Sequence, residues 1–272
     1  MDTGAEQADP EAASAEWLKR ASSFGAAAAQ YAQHRPGYAE AAIRWCLAPV
    51  GDASQPVRVL DLGAGTGILT GGIARLGADV VAVEPDPEMR AELRRRLPAV
   101  RVLEGRAEEL PLPDQSVDAV LCGQAMHWFD MDRALPEIAR VLTPGGVLAG
   151  LWNVEDDRVG WVAELAAMTE SGSTLSLWRS AQKEDDEHSP LRVGTDRFAP
   201  AQVGEFDNAE PRSPESLVAF IATTSRFLLM PQEQRTETLA AIGEFLGRRP
   251  ETSGGEFTMP LITAALRAVR RS

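Results

Sequence analysis

The sequence predicts an α/β protein in which a mostly parallel sheet is covered by helices on both faces. From Val57 onwards, short apolar runs alternate with segments of helical spacing. These runs are almost continuously apolar, which is typical of strands that are buried on both faces. The first run ends in a glycine-rich turn. In such a fold the ligand lies at the carboxyl ends of the strands, near the switch in strand order.

The first half of the chain supplies five strands. The first strand, "VRVLDLG", precedes the helix "ILTGGIARLG", and the second strand, "ADVVAVEPD", precedes the amphipathic helix "PEMRAELRRRLP". The third strand lies around "AVRVLEG" and the fourth is "SVDAVLCGQ". The helix "DRALPEIARVL", the turn "TPGG" and the fifth strand "VLAGLWN" complete this half.

Beyond Asn153 the alternation loosens. We predict a helix in "EDDRVGWVAELAAMTE", a loop in "RSAQKEDDEHSPLRVGTDRFAP" and a sixth strand in "AQVGEFDNAE". "SPESLVAFIATTSR" is helical, with Ser213 as N-cap and Pro214 in the first turn. A helix in "PQEQRTETLAAIGEFLGRRP" and a final strand in "GGEFTMPLITAALRAV" follow. The predicted organisation is a disordered tail (1–15), a helical lid (16–56) and a core domain (57–272) with a substrate-facing insertion at about 155–200.

Composition narrows the function classes. A net charge of -13 provides no broad positive field, so nucleic acid and anionic membranes are not expected partners. No apolar run approaches the ~20 residues that span a bilayer, and the acidic N-terminus is unlike a signal peptide. Cys46 and Cys122 lie far apart, which predicts reduced, buried thiols in a cytoplasmic protein; a single disulfide is the alternative. We expect a small-molecule substrate and a monomer or homodimer.

The stretch "VLDLGAGTG", residues 59–67, marks the ligand site. Glycines at 63, 65 and 67 let the backbone approach a ligand closely and turn into a helix whose free N–H groups face it. A dinucleotide turn would have its third glycine at position 68, which is Ile68. Asp61 precedes the first glycine by two residues and suits a positively charged amino group better than a pyrophosphate.

Glu84 ends the second predicted strand, 21 residues after Gly63. A carboxylate at this place can accept hydrogen bonds from both hydroxyls of a ribose. The alternative is a solvated strand cap. Asp86 and Met89 follow, near the edge at which the adenine of a bound nucleotide is expected.

With these residues in place, the chain resembles the class I S-adenosylmethionine-dependent methyltransferases of the methyltransferase type 11 family. It is most similar to their small-molecule branch, which includes ubiquinone/menaquinone and trans-aconitate methyltransferases. The resemblance covers most of the chain and rests on the glycine turn and six further segments. These are "SFGAAAAQYAQHRPGY", "EGRAEELPLPDQSVDAV", "QAMHWFD", "ARVLTPGGVLAG", "FIATTSRFLLMPQEQR" and "FTMPLITAALR".

The resemblance implies a Rossmann-like, seven-stranded class I fold, S-adenosylmethionine as cofactor and S-adenosylhomocysteine as product. The three glycines would surround the methionine part of the cofactor, with Asp61 near its ammonium group and Glu84 on the ribose. The implied cofactor-binding set is Tyr31, Arg35, Asp61, Gly63, Ala64, Gly65, Gly67, Glu84, Pro85, Asp86, Met89, Arg106, Ala107, Glu108, Gln124, Ala125 and Trp128.

Arg106 departs from the family pattern, which often has an acid or a hydroxyl at this place to bind the adenine amino group. A guanidinium cannot accept that hydrogen bond. The amide of Ala107 would then serve the ring nitrogen N1, and a backbone carbonyl or Glu108 would take the amino group.

The lid segment "YAQHRPGY" supplies two further residues. In similar enzymes lid residues cover the cofactor, so Tyr31 would lie over the sulfonium and Arg35 would hold the cofactor carboxylate. The alternative for Arg35 is an ion pair that ties the lid to the core. No metal is expected, because the sulfonium carries its own activated methyl group and His188 has no second histidine at ligand spacing.

His127 lies just past the fourth strand, at the edge where the methyl group must be presented. A neutral imidazole there suits removal of a proton from a phenol, hydroxyl or amine. The alternative is a structural histidine packed against Trp128.

The predicted function is methyl transfer to an O, N or C nucleophile of a small molecule, as in secondary metabolism. The alternatives are cofactor binding without methyl transfer and a trans-aconitate-type carboxylate acceptor. Candidate acceptor-binding residues are the aromatic side chains Trp152, Trp161, Trp178, Phe198 and Phe227, and, for a carboxylate, Arg179, Arg192 and Arg226.

Overall fold

The computed structural model describes residues 35–51, 55–182 and 196–272, and within them the strands form one sheet. The strands are β1 (Arg58–Leu62), β2 (Asp79–Val83), β3 (Arg101–Leu103), β4 (Val117–Gly123), β5 (Leu142–Glu155), β6 (Gln202–Arg212) and β7 (Phe257–Val269). Their order is β3-β2-β1-β4-β5-β7-β6. The strands β1 to β5 are parallel, and β7 is antiparallel to both β5 and β6. The predicted mostly parallel, seven-stranded sheet is therefore confirmed.

Helices cover both faces of this sheet. They are α1 (Glu40–Leu47), α2 (Ile68–Arg75), α3 (Pro87–Arg96), α4 (Met131–Val141), α5 (Gly160–Thr169), α6 (Leu175–Ala181), α7 (Pro214–Ala222), α8 (Ser225–Leu229) and α9 (Gln232–Arg248), with a short 3₁₀ helix at Met126–Trp128. The strand order switches direction between β1 and β4, because β1 pairs with β2 on one side and with β4 on the other. This switch fixes where a ligand cleft opens.

Two apolar cores lie on opposite faces of the sheet. On one face Ile43 and Cys46 of α1 pack with Leu69 and Ile73 of α2. On the other face Ile138 of α4 packs in the larger core, beneath strands β4 and β5. Burial of both strand faces explains why these strands are nearly continuous apolar runs in the sequence.

The first helix, α1, lies within the range predicted as a lid. From Ala42 to Leu47 its buried side chains belong to the core beside the sheet. Residues 1–34, which hold the predicted tail and nearly half of the predicted lid, lie outside the described residues, and the domain bounds remain a prediction. Cys46 and Cys122 are both free and buried, as predicted.

The C-terminal half adds a third apolar cluster beside the start of β7. It includes Trp161 of α5, Leu217 of α7, Phe227 of α8 and Ile242 of α9. The predicted N-cap is confirmed: Ser213 Oγ accepts a hydrogen bond from the Ser216 amide at 3.2 Å, within a reciprocal capping box.

The fifth strand begins earlier than the sequence pattern indicated. The predicted turn "TPGG" lies inside β5, whose register with β4 shifts between the pairs Val117–Leu142 and Ala119–Val147. Gly145 has a φ of +79°, a left-handed conformation that glycine adopts without steric cost. The turn is thus an irregularity within a paired strand. None of the helices in the described residues is long and apolar enough to cross a bilayer.

Candidate active site

A cavity of about 800 Å³ opens at the carboxyl ends of β1, β2 and β4. It lies at the switch in strand order, where the fold was expected to bind its ligand. Its walls include most of the predicted cofactor-binding residues: Asp61, Gly63, Ala64, Gly65, Glu84, Pro85, Asp86, Met89, Arg106, Ala107, Glu108, Gln124, Ala125 and Trp128. We call it the first cavity.

The glycine turn forms the floor of the first cavity. Gly63 has a φ of +69°, and a Cβ added there would lie 2.7 Å from the Cβ of Ala125. Gly65 has a φ of +56° and an open space of at least 4 Å around the same position. Both residues therefore need glycine for their conformation, and Gly65 also leaves room for a ligand.

Gly67 differs from the other two glycines. It does not line the first cavity; it stands at the N-terminus of α2 with a φ of +85°. A Cβ there would come within 2.9 Å of the Leu93 side chain on α3. Packing against Leu93 and the left-handed start of the helix explain why this position is glycine. A direct contact of Gly67 with a ligand stays a prediction.

Asp61 is fully buried beneath the glycine turn. Its Oδ2 accepts a hydrogen bond of 2.5 Å from the Thr70 hydroxyl, whereas its Oδ1 has no hydrogen-bond partner among the described residues. Burial is the main cause that raises the pKa of Asp61 to about 7; hydrogen bonds from Thr70 oppose this rise and the nearby Glu84 adds to it. A buried carboxylate with one unsatisfied oxygen fits a cationic ligand group such as an ammonium.

Glu84 is held in place by the backbone around it. Its Oε2 accepts from the Gly65 amide at 2.8 Å and its Oε1 accepts from the Asp86 amide at 2.9 Å. Only 7% of the residue is exposed, and burial raises its pKa. Each oxygen retains acceptor capacity for a ligand hydroxyl, so the geometry fits recognition of a ribose and differs from a solvated cap.

Two residues fix the chain on either side of Glu84. Asp86 caps α3, because its Oδ1 accepts from the amides of Glu88 and Met89. Arg90 is buried and donates to the carbonyl of Glu84 at 2.9 Å. The sequence analysis did not single out Arg90, because an arginine on an amphipathic helix is usually solvated.

The adenine side of the first cavity is more open. Ala107 is buried, whereas the side chain of Arg106 is 54% exposed, with its Nε 3.7 Å from a carboxylate oxygen of Glu108. The other oxygen of Glu108 accepts from the Asp130 amide at 3.0 Å. Arg106 therefore stands at the rim of the first cavity, and its place beside the adenine stays a prediction.

A second cavity, of about 820 Å³, adjoins the first. Four residues line both cavities and so form the boundary between them: Tyr38, Ile68, Gln124 and Trp128. A group that passes from a ligand in one cavity to a ligand in the other must cross this boundary.

The boundary is anchored by Asn153 on β5. Gln124 has an unusual φ of +55°, and its Nε2 donates to the Asn153 carbonyl at 3.1 Å. The Asn153 side chain donates to the Gly37 carbonyl at 3.0 Å and accepts from Thr263 at 2.7 Å and from Asn208 at 3.1 Å. Backbone strain at Gln124 is therefore held by a well-satisfied hydrogen-bond network.

His127 lines the second cavity and not the first. It lies in the short 3₁₀ helix, with its ring centroid 4.8 Å from that of Trp128. The residue as a whole is exposed, yet desolvation by the neighbouring protein lowers the pKa of its ring. The imidazole is thus neutral at neutral pH and can accept a proton from a ligand in this cavity.

The predicted acceptor residues divide into two groups. Trp152, Trp178 and Phe227 line the second cavity, whereas Trp161 and Phe198 do not. Arg226 lines it as well and pairs with Glu170 at 2.5 Å. Arg179 lies outside this lining and pairs with Glu205 at 2.6 Å. Three residues of the sequence analysis, Tyr31, His188 and Arg192, lie outside the described residues.

Arg35 was predicted to hold the cofactor carboxylate, but the structure places it at the second cavity. Its guanidinium lies 5.2 Å from the centroid of the Phe220 ring. Arg212, which the sequence analysis missed, lines the same cavity with its guanidinium 5.4 Å from that ring. A contact of Arg35 with the cofactor stays a prediction.

Several lining residues carried no recognisable signal in the sequence. Thr66 sits inside the glycine motif, and its buried hydroxyl has no hydrogen-bond partner in the described part of the chain. Leu110 and Phe129 add apolar walls to the first cavity. Within residues 35–51, 55–182 and 196–272, no group of three or more metal-ligating side chains comes together.

Comparisons with known proteins agree with this geometry. Residues 60–150 match the family model described as a methyltransferase domain. An uncharacterized methyltransferase of Mycobacterium tuberculosis is 39% identical over 247 residues, which cover 90% of this chain and 95% of that protein.

Two further similarities are to a protein of solved structure and to an enzyme named for its reaction. A provisionally named type II methyltransferase from Anaeromyxobacter dehalogenans has a solved structure with a TM-score of 0.57, 26% identity and coverage of 87% of this chain and 96% of its own. The demethylmenaquinone methyltransferase of Chlorobaculum tepidum is 38% identical over 91 residues, or 33% of this chain and 38% of that enzyme.

Proposed function

This chain belongs to the class I S-adenosylmethionine-dependent methyltransferases, and we propose that it transfers the methyl group to a small molecule bound in the second cavity. The observation that carries this proposal is the shared boundary, at which Gln124 and Trp128 line both cavities. A cofactor in the first cavity and an acceptor in the second would then meet there.

The residues of the first cavity fit S-adenosylmethionine. The unsatisfied oxygen of Asp61 suits its ammonium group, and the backbone-held carboxylate of Glu84 suits its ribose. When bound, the cofactor supplies a methyl group already activated by the sulfonium charge. The remaining tasks of the chain are to align an acceptor, exclude water and accept a proton.

His127 is the proposed proton acceptor. It is neutral because desolvation lowers its pKa, and it faces the cavity that would hold the acceptor. The ring of Trp128 packs against the His127 imidazole in a tilted arrangement. Proton removal by such a positioned base typically contributes 10²–10⁴-fold to the rate, as an order-of-magnitude estimate.

The second cavity, proposed to hold the acceptor, is lined by both apolar and charged side chains. Trp152, Trp178 and Leu177 provide apolar and aromatic surface for a small apolar or aromatic molecule. The relative from Chlorobaculum tepidum, which is named for a demethylmenaquinone substrate, supports an acceptor of this class. The net charge of -13 argues against nucleic acid. Cytoplasmic location and a monomeric or homodimeric state belong to the same proposal.

A carboxylate acceptor is the second candidate. Arg35 and Arg212 both line the second cavity, each close to the ring of Phe220, and could pair with an anionic group. Arg226 lines the same cavity and pairs with Glu170. Acceptors that carry two or more carboxylates should be included in any substrate panel for this reason.

The test combines binding with product analysis. We expect S-adenosylhomocysteine to bind tightly in calorimetry and NAD not to bind, and the reverse result would exclude the assignment. Incubation with methyl-labelled S-adenosylmethionine and a metabolite panel should transfer label to a small molecule. Binding without transfer to any acceptor would instead favour a cofactor-binding protein.

His127 is tested once an acceptor is known. We expect His127→Ala and His127→Gln to lower turnover by roughly 100-fold or more, because each removes the proton acceptor. S-adenosylhomocysteine affinity should stay unchanged, since His127 does not line the first cavity. A loss below tenfold would show that the histidine is structural.

A further inference from the structure

Regular pairing between β2 and β3 ends beside Glu84. The last pair in register is Val83 with Leu103, and one further backbone hydrogen bond runs from the Glu84 amide to the Leu103 carbonyl at 3.2 Å. The residues that follow the two strands, from Glu84 and from Glu104 onward, line the first cavity. The backbone polar groups at this point need hydrogen-bond partners that the strand ladder no longer supplies.

The guanidinium of Arg90, on α3, connects the two strand ends. Its Nη1 donates to the carbonyl of Glu84 at 2.9 Å and to that of Pro85 at 2.6 Å. Its Nη2 donates to a carboxylate oxygen of Glu104 at 2.7 Å. The Arg90 side chain is only 9% exposed, whereas that of Glu104 is 75% exposed. The ion pair therefore contributes little by itself, and its role is to orient the guanidinium toward the two carbonyls.

Arg90 acts on Glu84 and not directly on a ligand, because it does not line the first cavity. It fixes the backbone of Glu84, while the amides of Gly65 and Asp86 fix the two carboxylate oxygens. Burial raises the pKa of Glu84, and the charge of Arg90 is one of the influences that oppose this rise. Arg90 thus favours both the position and the ionised state of this carboxylate.

We propose that Arg90 is a positioning residue for ribose recognition, which holds Glu84 where its carboxylate meets both hydroxyls of the cofactor ribose. The inference rests on the proposed function, because it assigns the first cavity to S-adenosylmethionine. Two neighbouring hydroxyls require a carboxylate with both oxygens correctly aimed, and a displacement of about 1 Å weakens such a paired contact. Arg90 therefore determines how strongly the site distinguishes a ribose from a deoxyribose.

Cofactor analogues that lack one ribose hydroxyl measure this role. The Kd values of S-adenosylhomocysteine and of its 2′-deoxy and 3′-deoxy analogues are determined by calorimetry on the full chain. We expect the parent to bind S-adenosylhomocysteine about tenfold more tightly than either analogue, as for loss of one hydrogen bond to a charged group. Arg90→Met should reduce this preference to less than about threefold, because Glu84 is then no longer held in position.

Two further variants connect the preference to the guanidinium of Arg90. Arg90→Lys keeps the positive charge but loses the planar fork that spans both strand ends, so its preference should fall between those of the parent and Arg90→Met. Arg94→Met is the matched control, because Arg94 also extends from α3 to a backbone carbonyl, that of Val102 within β3, at 3.1 Å. It should retain the preference of the parent.

A double-mutant cycle separates positioning of Glu84 from general stabilisation of the fold. In the parent, Arg90→Met should lower the affinity for S-adenosylhomocysteine by about tenfold. In a Glu84→Ala background the carboxylate is absent, so the same substitution should lower the affinity by less than about twofold. A residue with a merely structural role would cost the same affinity in both backgrounds.

Three outcomes would overturn the inference. They are equal binding of S-adenosylhomocysteine and its deoxy analogues to the parent, an unchanged preference in Arg90→Met, and equal losses of affinity in the two backgrounds of the cycle. If urea unfolding shows that Arg90→Met is not folded, an unchanged preference in Arg90→Lys has the same meaning. Failure of the parent to bind S-adenosylhomocysteine at all would be a failure of the proposed function, and it would appear before any variant is measured.

Discussion

The two cavities are built from different kinds of sequence. Apart from Tyr38, the first cavity is lined by residues 61–129, which belong to consecutive β-strand ends and the turns after them. The second draws on residues from Arg35 to Leu261, with contributions from β5, α6, α7 and β7. The proposed cofactor site therefore depends on local chain geometry, whereas the proposed acceptor site depends on how distant elements pack.

The polar groups of both cavities are only partly satisfied. In the first cavity both oxygens of Glu84 already bind backbone amides, whereas Asp61 Oδ1 and the Thr66 hydroxyl are unsatisfied among the described residues. In the second, Glu155 Oε2 and the Trp178 indole nitrogen are unsatisfied among them. The pre-formed part of the first site is therefore the Glu84 carboxylate and the glycine turn. Substitutions in the glycine turn and around it test this contrast.

The largest effect is expected for Gly63→Ala. The new methyl group would overlap Ala125 at 2.7 Å and would force a left-handed φ on alanine. A displacement of the turn by about 1 Å should weaken S-adenosylhomocysteine binding by roughly 100-fold, as measured by calorimetry. Gly77→Ala is the control, because Gly77 has a φ of +83° but open space around it. Equal losses in both variants would refute the pre-formed turn.

Asp61→Asn should have two opposite effects. It removes the charge that is proposed to face the cofactor ammonium, so S-adenosylhomocysteine affinity should fall by about tenfold or more. It should also stabilise the ligand-free protein at pH 8. Burial raises the pKa of Asp61 to about 7 from an ordinary value of 3.8. At about 1.4 kcal/mol per pH unit, the ionised carboxylate costs up to about 4 kcal/mol of folding free energy.

The sign of this effect depends on pH. The raised pKa means that the folded state prefers the protonated acid, so the stability contributed by Asp61 is present at low pH and lost as pH rises through about 7. Urea unfolding of the ligand-free proteins at pH 5.5 and pH 8 measures it. Asp118→Asn is the contrasting control: Arg58 holds the pKa of Asp118 low, so this variant should lose stability at pH 8. A pH-independent difference between Asp61→Asn and the parent would contradict the prediction.

The smallest effect is expected for Arg106→Ala. The arginine side chain is 54% exposed and its pairing with Glu108 is loose, at 3.7 Å. Surface ion pairs typically contribute about 0–1 kcal/mol, so S-adenosylhomocysteine affinity should change by less than about threefold. Arg101→Ala, at the opposite end of β3, gives the baseline for loss of one surface charge. A tenfold loss for Arg106→Ala alone would show that this residue binds the cofactor directly.

The same contrast explains what was predictable from the sequence. The strand positions, the glycine turn and Glu84 follow from local patterns, because apolar runs, positive-φ glycines and strand-end carboxylates are set within a few residues. Asp61 could be assigned by its spacing from Gly63. Arg90 could not, because its role depends on a carbonyl it reaches only when α3 packs beside β2.

The acceptor side was less predictable. Trp152 and Trp178 were identified only as two of several aromatic residues, and Trp161 was indistinguishable from them although it packs in a core. Arg35 was expected to contact the cofactor as a lid residue; it lines the second cavity, and its contact with the cofactor stays a prediction. Glu155 carried no signal, since its environment is created by Ser171 and Ser173 from later in the chain.

Asn153 connects the boundary between the two cavities to the N-terminal end of the described chain. The same residue holds Gln124 through its carbonyl and Gly37 through its side chain. A ligand that shifts Gln124 therefore also changes the free energy of the segment around Gly37. By thermodynamic linkage, a change at Gly37 alters the affinity of that ligand by the same factor.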